Sequence, residues 1–327
     1  MIKAKIVGTG SYLPKKILTN ADFEKMVDTS DEWITTRTGI KERHIAEDNE
    51  TTSDMALKAS ERALKDAKMS SDQIDCIIVA TITPDMSFPS VACILQDKLL
   101  TKNCMAFDFN AACTGFIYGL QLANSLIKTG EANNVLLVAS EKLSAITDYT
   151  DRNTCVLFGD GAGAVILSKS EDSQGVLSVY TGSDGSKGEL LKKHGGLIRL
   201  PFSKMTAYDY RHTYLYMDGK AIFKSAINRM TSSLTEALSK ADKKLENLDM
   251  IIPHQANLRI IEMVKEFAKL NDDQVFVTLP KTGNTSASTI PIAIDEAVKS
   301  GKLKKGMLLG LTAFGGGLTF GAAIIEM

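Results

Sequence analysis

Net charge is almost absent from this chain. Its 327 residues carry 38 Lys and Arg against 39 Asp and Glu, a formal balance of -1. A general nucleic-acid binder needs a basic face to neutralise phosphates, so that class is excluded as the main role. Metal and disulfide patterns are missing as well. The five cysteines, Cys76, Cys93, Cys104, Cys113 and Cys155, form no CxxC pair and show no ligand spacing, so no metal is expected. Their odd number points to a reducing cytosol. Residues 2–8 read as a strand into a turn, with no signal-like apolar stretch, which agrees with a cytoplasmic protein. A membrane span is also not expected. Residues 307–325 carry no charge and nearly reach bilayer length. Gly315, Gly316 and Gly317 interrupt them, and glycine disfavours a helix. Two buried strands joined by a glycine loop are expected there.

What is present is apolar and periodic. Hydrophobic residues make up 44% of the chain, enough for a large core in one big domain or two medium ones. Strand-like runs fall at residues 2–7, 76–80, 105–109, 135–139, 163–168, 250–253, 275–278, 307–312 and 318–325, with helix-like runs between them. That alternation predicts an α/β fold. Residues 184–217 are the exception, rich in Gly, Lys and Tyr and without a clear period. They read as an irregular excursion over the core that serves as a lid.

The chain also repeats itself. Residues 73–80 match residues 247–254 at an offset of 174, which sets His254 opposite Ala80. Residues 113–130 lie over 284–301 at an offset of 171, which makes Cys113 and Asn284 equivalent. Phe158-Gly159-Asp160-Gly161 matches Phe314-Gly315-Gly316-Gly317, and apolar runs follow at 164–167 and 322–325. Three segments in the same order point to duplication, with halves at residues 1–172 and 173–327. A pseudo-twofold axis would then bring two helix starts together, with His254 beside them.

Cys113 is the candidate nucleophile. It follows a strand-like run and opens an apolar segment, residues 116–127. At a helix start, unpaired N–H groups and the macrodipole favour the thiolate. The loop Gly315–Gly316–Gly317 offers N–H groups for an oxyanion. His254 ends a strand, and Asn284 is either a helix cap or an amide donor.

The set Asn110-Ala111-Ala112-Cys113-Thr114-Gly115, His254-Gln255-Ala256-Asn257-Leu258-Arg259, Gly283-Asn284-Thr285-Ser286-Ala287-Ser288 and Phe314-Gly315-Gly316-Gly317 closely resembles the β-ketoacyl-acyl-carrier-protein synthase III family. The resemblance covers nearly the whole chain. It implies a thiolase-like fold, with duplicated halves in a five-layer αβαβα arrangement. It implies a decarboxylative condensation of an acyl-CoA, most simply acetyl-CoA, with malonyl-acyl-carrier protein, which initiates fatty-acid synthesis. CoA thioester is then a substrate, and no cofactor is implied.

By the same resemblance Cys113 carries the acyl group, and His254 and Asn284 serve decarboxylation. The N–H groups of Cys113 and Gly316 form the oxyanion hole. Trp33, Arg37, Arg152 and Asn257 hold CoA, with Trp33 and Arg152 on either side of the adenine. Gln255, Ala256, Asn257, Leu258 and Arg259 meet the carrier protein, and Lys265 and Lys269 extend that strip. Phe88 lines the acyl pocket across a homodimer interface.

Competing readings are a relative from secondary metabolism with another primer, and a non-catalytic acyl- or carrier-protein-binding module. A thiolase would need a second cysteine near residues 315–319, and elongating condensing enzymes would need histidine at position 284. A dinucleotide site at Gly159-Asp160-Gly161-Ala162-Gly163 would need a helix after the glycines, where a strand-like run follows.

Overall fold

The structure is a computed structural model, and it describes residues 2–171, 174–207 and 209–327. The expected boundary between residues 172 and 173 lies outside the described residues. One sheet takes β1 (Lys3–Tyr12), β2 (Cys76–Ala80), β3 (Met105–Phe109), β4 (Asn134–Glu141) and β5 (Gly161–Ser170), in the order β1-β5-β4-β2-β3. A second takes β6 (Gly175–Ser183), β7 (Met250–Pro253), β8 (Leu308–Gly315) and β9 (Thr319–Glu326), in the order β7-β8-β9-β6. The main helices are α1 (Asp31–Thr38), α2 (Thr52–Ala67), α3 (Val91–Lys98), α4 (Gly115–Thr129), α5 (Gly219–Lys240), α6 (Leu258–Ala268) and α7 (Thr289–Lys299).

Five layers follow from which faces are apolar. α4 and α7 lie between the sheets. Phe116, Leu120, Ile127, Ile290, Ile294 and Ala297 share one core with Ile78 and Leu137 of the first sheet and Ile252 and Leu311 of the second. α2 and α3 cover the outer face of the first sheet through Met55, Ala59, Ala63 and Leu95. α5 and α6 cover the second through Met230, Leu234, Ile260 and Val264. Strands buried on both faces need no polar alternation, and β2 and β8 are buried at every residue. α2 starts at Thr51, whose N–H donates to Asp54 Oδ2 at 2.9 Å while its own hydroxyl accepts from Asp54 N–H. It lies unusually close to β1, because a Cβ on Gly10 would stand 2.2 Å from the Ala59 carbonyl oxygen.

The duplication is visible in the pairing. β4 is parallel to β2 and antiparallel to β5, and β8 is parallel to β7 and antiparallel to β9. Val138 pairs with Ala164, and Thr312, which lies 174 residues after Val138, pairs with Ala322. The runs at 164–167 and 322–325 are therefore equivalent, as expected. Phe158 and Phe314 are not: Phe158 precedes β5 in a loop, whereas Phe314 lies within β8. The strand expected at 275–278 shrinks to a single bridge between Val275 and Ile251.

The register of the central helices also differs from expectation. Single 3-10 turns at Ala112–Thr114 and Ser286–Ser288 open α4 and α7, and they are 174 residues apart, not 171. Ala112 and Ser286 share a left-handed backbone, with φ of 46° and 53°. Asn110 Oδ1 accepts from Ala112 N–H, and Asn284 Oδ1 accepts from Ser286 N–H. The mate of Cys113 is thus Ala287, and the mate of Asn284 is Asn110. The sequence match had aligned the helix C-termini, and α7 is shorter than α4 by about a turn.

Residues 307–325 form the β8–β9 hairpin, as the glycine loop predicted. No helix among the described residues is long and apolar enough to cross a membrane. Gly161 begins β5, so the glycines at 159–163 lead into a strand and the dinucleotide reading fails. The 184–217 excursion is less irregular than expected. Leu191–Lys193 and Leu215–Met217 pair as an antiparallel ribbon.

Candidate active site

The C-terminal ends of β2, β4, β7 and β8 and the starts of α4 and α7 meet at one end of the molecule. Between them lies a cavity of about 850 Å³. Cys113, His254, Asn284 and Gly316 all line it, so the four expected active-site residues converge. Leu191, Leu197, Leu215 and Met217 of the excursion line it too, which fits a lid. The β8–β9 turn comes very close to the cysteine. A Cβ on Gly315 would stand 2.7 Å from the Cys113 backbone nitrogen, so only glycine lets the two backbones approach this way. Thr319 holds the contact, its hydroxyl 2.9 Å from the Ala111 carbonyl oxygen.

The thiol is not spontaneously ionised. Burial pushes Cys113 up to about 11; the neighbouring Ser286 hydroxyl opposes this rise, and Glu141 adds to it. The helix start was expected to favour the thiolate. Cys113 is only partly buried, since it opens on the cavity, yet its desolvation outweighs a helix end, which typically contributes about 0.3–1 kcal/mol.

His254 is buried, and burial pushes it down to about 3, so the ring is neutral. Its Nδ1 lies 2.7 Å from Thr289 Oγ1, in the first turn of α7. Thr289 was missed in the sequence, because nothing local marks a hydroxyl 35 residues away as the partner of this ring. Asn284 is buried with its backbone held on both sides. Its N–H donates to the Leu157 carbonyl at 2.9 Å, and its carbonyl accepts from Gly159 N–H at 3.1 Å. Because Oδ1 is already taken by Ser286 N–H, the side-chain NH2 is left to donate into the cavity.

Trp33, Arg37 and Arg152 form a second cluster outside the cavity lining. The Arg152 guanidinium lies 4.7 Å from the Trp33 ring centroid, and that of Arg37 lies 5.8 Å away. At 4.7 Å no ring fits between Trp33 and Arg152, so the expected sandwich forms only if Arg152 swings aside. Arg152 is held by Asp28 at 3.3 Å, an exposed pair of little strength.

The expected carrier-protein segment divides. Gln255 is fully buried. Its Nε2 donates to the Pro253 carbonyl at 2.6 Å, and its Oε1 accepts from Thr278 N–H at 3.0 Å. It clamps β7 to the following loops, so within this chain its side-chain amide is already engaged. Ala256 lines the cavity. Asn257 caps α6 through Arg259 N–H, and its Nδ2 donates to the Arg37 carbonyl at 3.0 Å. Leu258 is half-buried against Gly39, and Arg259 is exposed, with its guanidinium 5.2 Å from the Phe223 ring. Lys265 is committed to Asp272 at 2.7 Å and to Glu262, so it leaves the proposed basic strip. Phe88 is 84% exposed and does not line the cavity of its own chain.

A cysteine reached through a deep cavity at the start of a buried helix suits acyl transfer, and the duplicated five-layer fold makes this chain a thiolase-like acyltransferase. The family model for 3-oxoacyl-[acyl-carrier-protein] synthase III matches residues 107–185, and its C-terminal counterpart matches residues 238–327. The β-ketoacyl-[acyl-carrier-protein] synthase III of Caldanaerobacter subterraneus is 51% identical over 325 residues, 99% of this chain and 98% of that one. A crystal structure of 3-oxoacyl-[acyl-carrier-protein] synthase III from Aquifex aeolicus superposes with a TM-score of 0.93 at 49% identity, covering 99% of this chain and 100% of that one. The priming β-ketosynthase of the R1128 polyketide pathway also superposes at 0.93, with 33% identity, covering 98% of this chain and 95% of that one. The chain belongs to the β-ketoacyl-acyl-carrier-protein synthase III family.

Proposed function

We propose that this protein condenses acetyl-CoA with malonyl-acyl-carrier protein and so starts fatty-acid synthesis. The carrying observation is the single cavity that holds Cys113, His254 and the free amide of Asn284. The halves at residues 1–172 and 173–327 divide the work, with the nucleophile in the first and the decarboxylation pair in the second. Cys113 sulfur attacks the thioester carbonyl, and the N–H groups of Cys113 and Gly316 hold the oxyanion. CoA leaves with its sulfur. Malonyl-acyl-carrier protein then enters and loses carbon dioxide, and His254 and Asn284 stabilise the enolate oxygen. The enolate carbon attacks the acyl-cysteine, releasing the sulfur and giving a 3-oxoacyl-acyl-carrier protein. No resident cofactor enters these steps.

His254 needs Nε2–H to donate to the enolate. The Thr289 hydroxyl supplies that tautomer when it points at Nδ1, 2.7 Å away, instead of at the Ser286 carbonyl 3.0 Å away. An uncharged imidazole and an amide are suited to this task, since neither loses its proton at neutral pH.

The protein acts as a cytoplasmic homodimer in this reading. Exposed Phe88 and Met86, 84% and 49% accessible, support a partner surface beside the acyl pocket. The alternative to be tested is the same chemistry on another primer, since a polyketide priming β-ketosynthase shares the fold. Steady-state rates with a panel of acyl-CoA substrates and malonyl-carrier protein test both. Acetyl-CoA is expected to be preferred, and a larger acyl group with a higher kcat/KM would select the second reading.

Two substitutions probe substrate contacts. Trp33→Ala is expected to raise KM for acetyl-CoA roughly tenfold, through lost base stacking, with kcat little changed. Arg259→Glu is expected to raise KM for the carrier-protein substrate about tenfold, through a repulsive charge facing an acidic partner, and to leave acetyl loading from CoA intact. Unchanged carrier-protein kinetics would remove Arg259 from the docking surface.

A further inference from the structure

Glu141 ends β4, is fully buried, and has no role in the condensation described above. Its carboxylate is bonded on one side only. Oε2 accepts from Thr83 Oγ1 at 2.7 Å, Ile82 N–H at 3.1 Å and Thr81 Oγ1 at 3.2 Å. Oε1 is buried and has no hydrogen-bond partner among the described residues. The hydroxyl of Ser286, a residue 1% exposed, is in the same position. Ser286 is held in the left-handed region at φ 53° in the turn that opens α7, and it lines the cavity with Cys113. The turn Ser286–Ser288 packs against β4 and against the turn Ala112–Thr114 that carries Cys113, which sets the Ser286 hydroxyl where it favours the ionised form of both the Cys113 thiol and the Glu141 carboxyl.

We propose that Glu141 accepts the Cys113 proton through the Ser286 hydroxyl while the acyl group is loaded, a role that rests on Cys113 being acylated as proposed above. The Cys113 S–H bond breaks, and its electron pair forms the new S–C bond. That proton passes to Ser286 Oγ as the serine's own proton passes to Glu141 Oε1. Collapse of the tetrahedral adduct breaks the C–S bond to CoA, whose sulfur leaves with the electron pair. The relay then runs backward and returns the proton to the CoA sulfur, so none is gained or lost. The unpaired Oε1 and Oγ fit such a relay, since catalytic hydrogen bonds are often long before substrate binds.

A proton acceptor works best when its pKa is near the working pH. Burial, opposed by its three threonine and backbone donors, sets Glu141 at about 7. His254, the other candidate, is pushed down to about 3. Apart from Cys113, the charged or titratable groups around Glu141 face elsewhere. Lys142 bonds the Glu47 and Glu50 carbonyls, Asp160 bonds Ala46 N–H and Ser144, Asp85 bonds Ser53 N–H, Asp54 pairs with Lys98, and His254 bonds Thr289.

Alkylation of Cys113 by iodoacetamide, followed against pH by mass spectrometry, tests the relay. In the wild type the rate falls as pH drops through about 7, because protonated Glu141 accepts nothing. In Glu141→Gln and in Ser286→Ala that limb moves up toward the thiol's own ionisation, near 11. Acetyl loading at pH 7 falls about a hundredfold in both, while malonyl decarboxylation by chemically pre-acetylated protein stays within about threefold. A folded variant with an unchanged alkylation profile, or with equal loss of both half-reactions, overturns the relay. If neither variant folds, a wild-type profile with no inflection near 7 does so. Wild-type protein that loads no acetyl on Cys113 sinks the condensing reading itself, a separate outcome.

Discussion

Acetyl-CoA labelled in its acyl group is expected to leave the label on Cys113 and on no other cysteine, and Cys113→Ala is expected to lower condensation by on the order of 10⁴-fold or more. The five cysteines separate cleanly on structure. Cys76 and Cys155 are buried, and burial pushes their thiols up to about 12 and about 11. Cys93 and Cys104 lie on α3 and before β3, away from the cavity lining. Only Cys113 lines the cavity, with the β8–β9 glycines packed on its backbone. Replacing it by alanine keeps the turn, whose mate at position 287 is already alanine, and removes only the sulfur. Peptide mapping after a peptic digest reads the site directly. Label on another cysteine would end the assignment.

Asn284→Asp is expected to load acetyl at close to the normal rate and to lose malonyl decarboxylation by about 10²–10³-fold. The substitution is chosen for what it keeps. An aspartate oxygen still accepts from Ser286 N–H, the 2.9 Å bond that shapes the start of α7. What disappears is the NH2 donor, and a negative charge stands where an enolate must form. Asn284→Ala removes the same donor and the turn bond together, so its acetyl loading suffers more. Release of carbon dioxide from malonyl-carrier protein, measured apart from acetyl loading, checks both. Equal loss of the two half-reactions in Asn284→Asp would contradict a role confined to decarboxylation.

Much of this site is legible in the sequence. Cys113, His254, Asn284 and the glycine loop were each named from the sequence, and all line one cavity. Apolar runs and glycine breaks are local signals, so the β8–β9 hairpin, the duplication and every strand of the two main sheets except β6 could be read from them, whereas the run at 275–278 forms only a bridge. The register of the duplication could not. A helix end moves by a turn without changing its apolar pattern, which is how Asn284 came to be matched with Cys113 instead of with Asn110.

Burial of polar groups was equally hidden. Gln255 looks like a surface contact in a motif, yet its amide is spent on Pro253, Thr278 and Leu279. Lys265 looks like a free basic residue, yet Glu262 and Asp272 hold it.

The sequence by itself determined the α/β class, the repeat and the residue types that face the chemistry, because these follow from local patterning and from the fixed chemistry of each side chain. The tertiary structure alone decided the protonation of those residues and the company they keep. The thiol and His254 take their ionisation from burial among segments distant in the chain. The turn of Ser286 packs on both β4 and the turn of Cys113 only because strand and helix ends converge, and hydrogen bonding and desolvation depend on distance in space, which sequence separation does not encode.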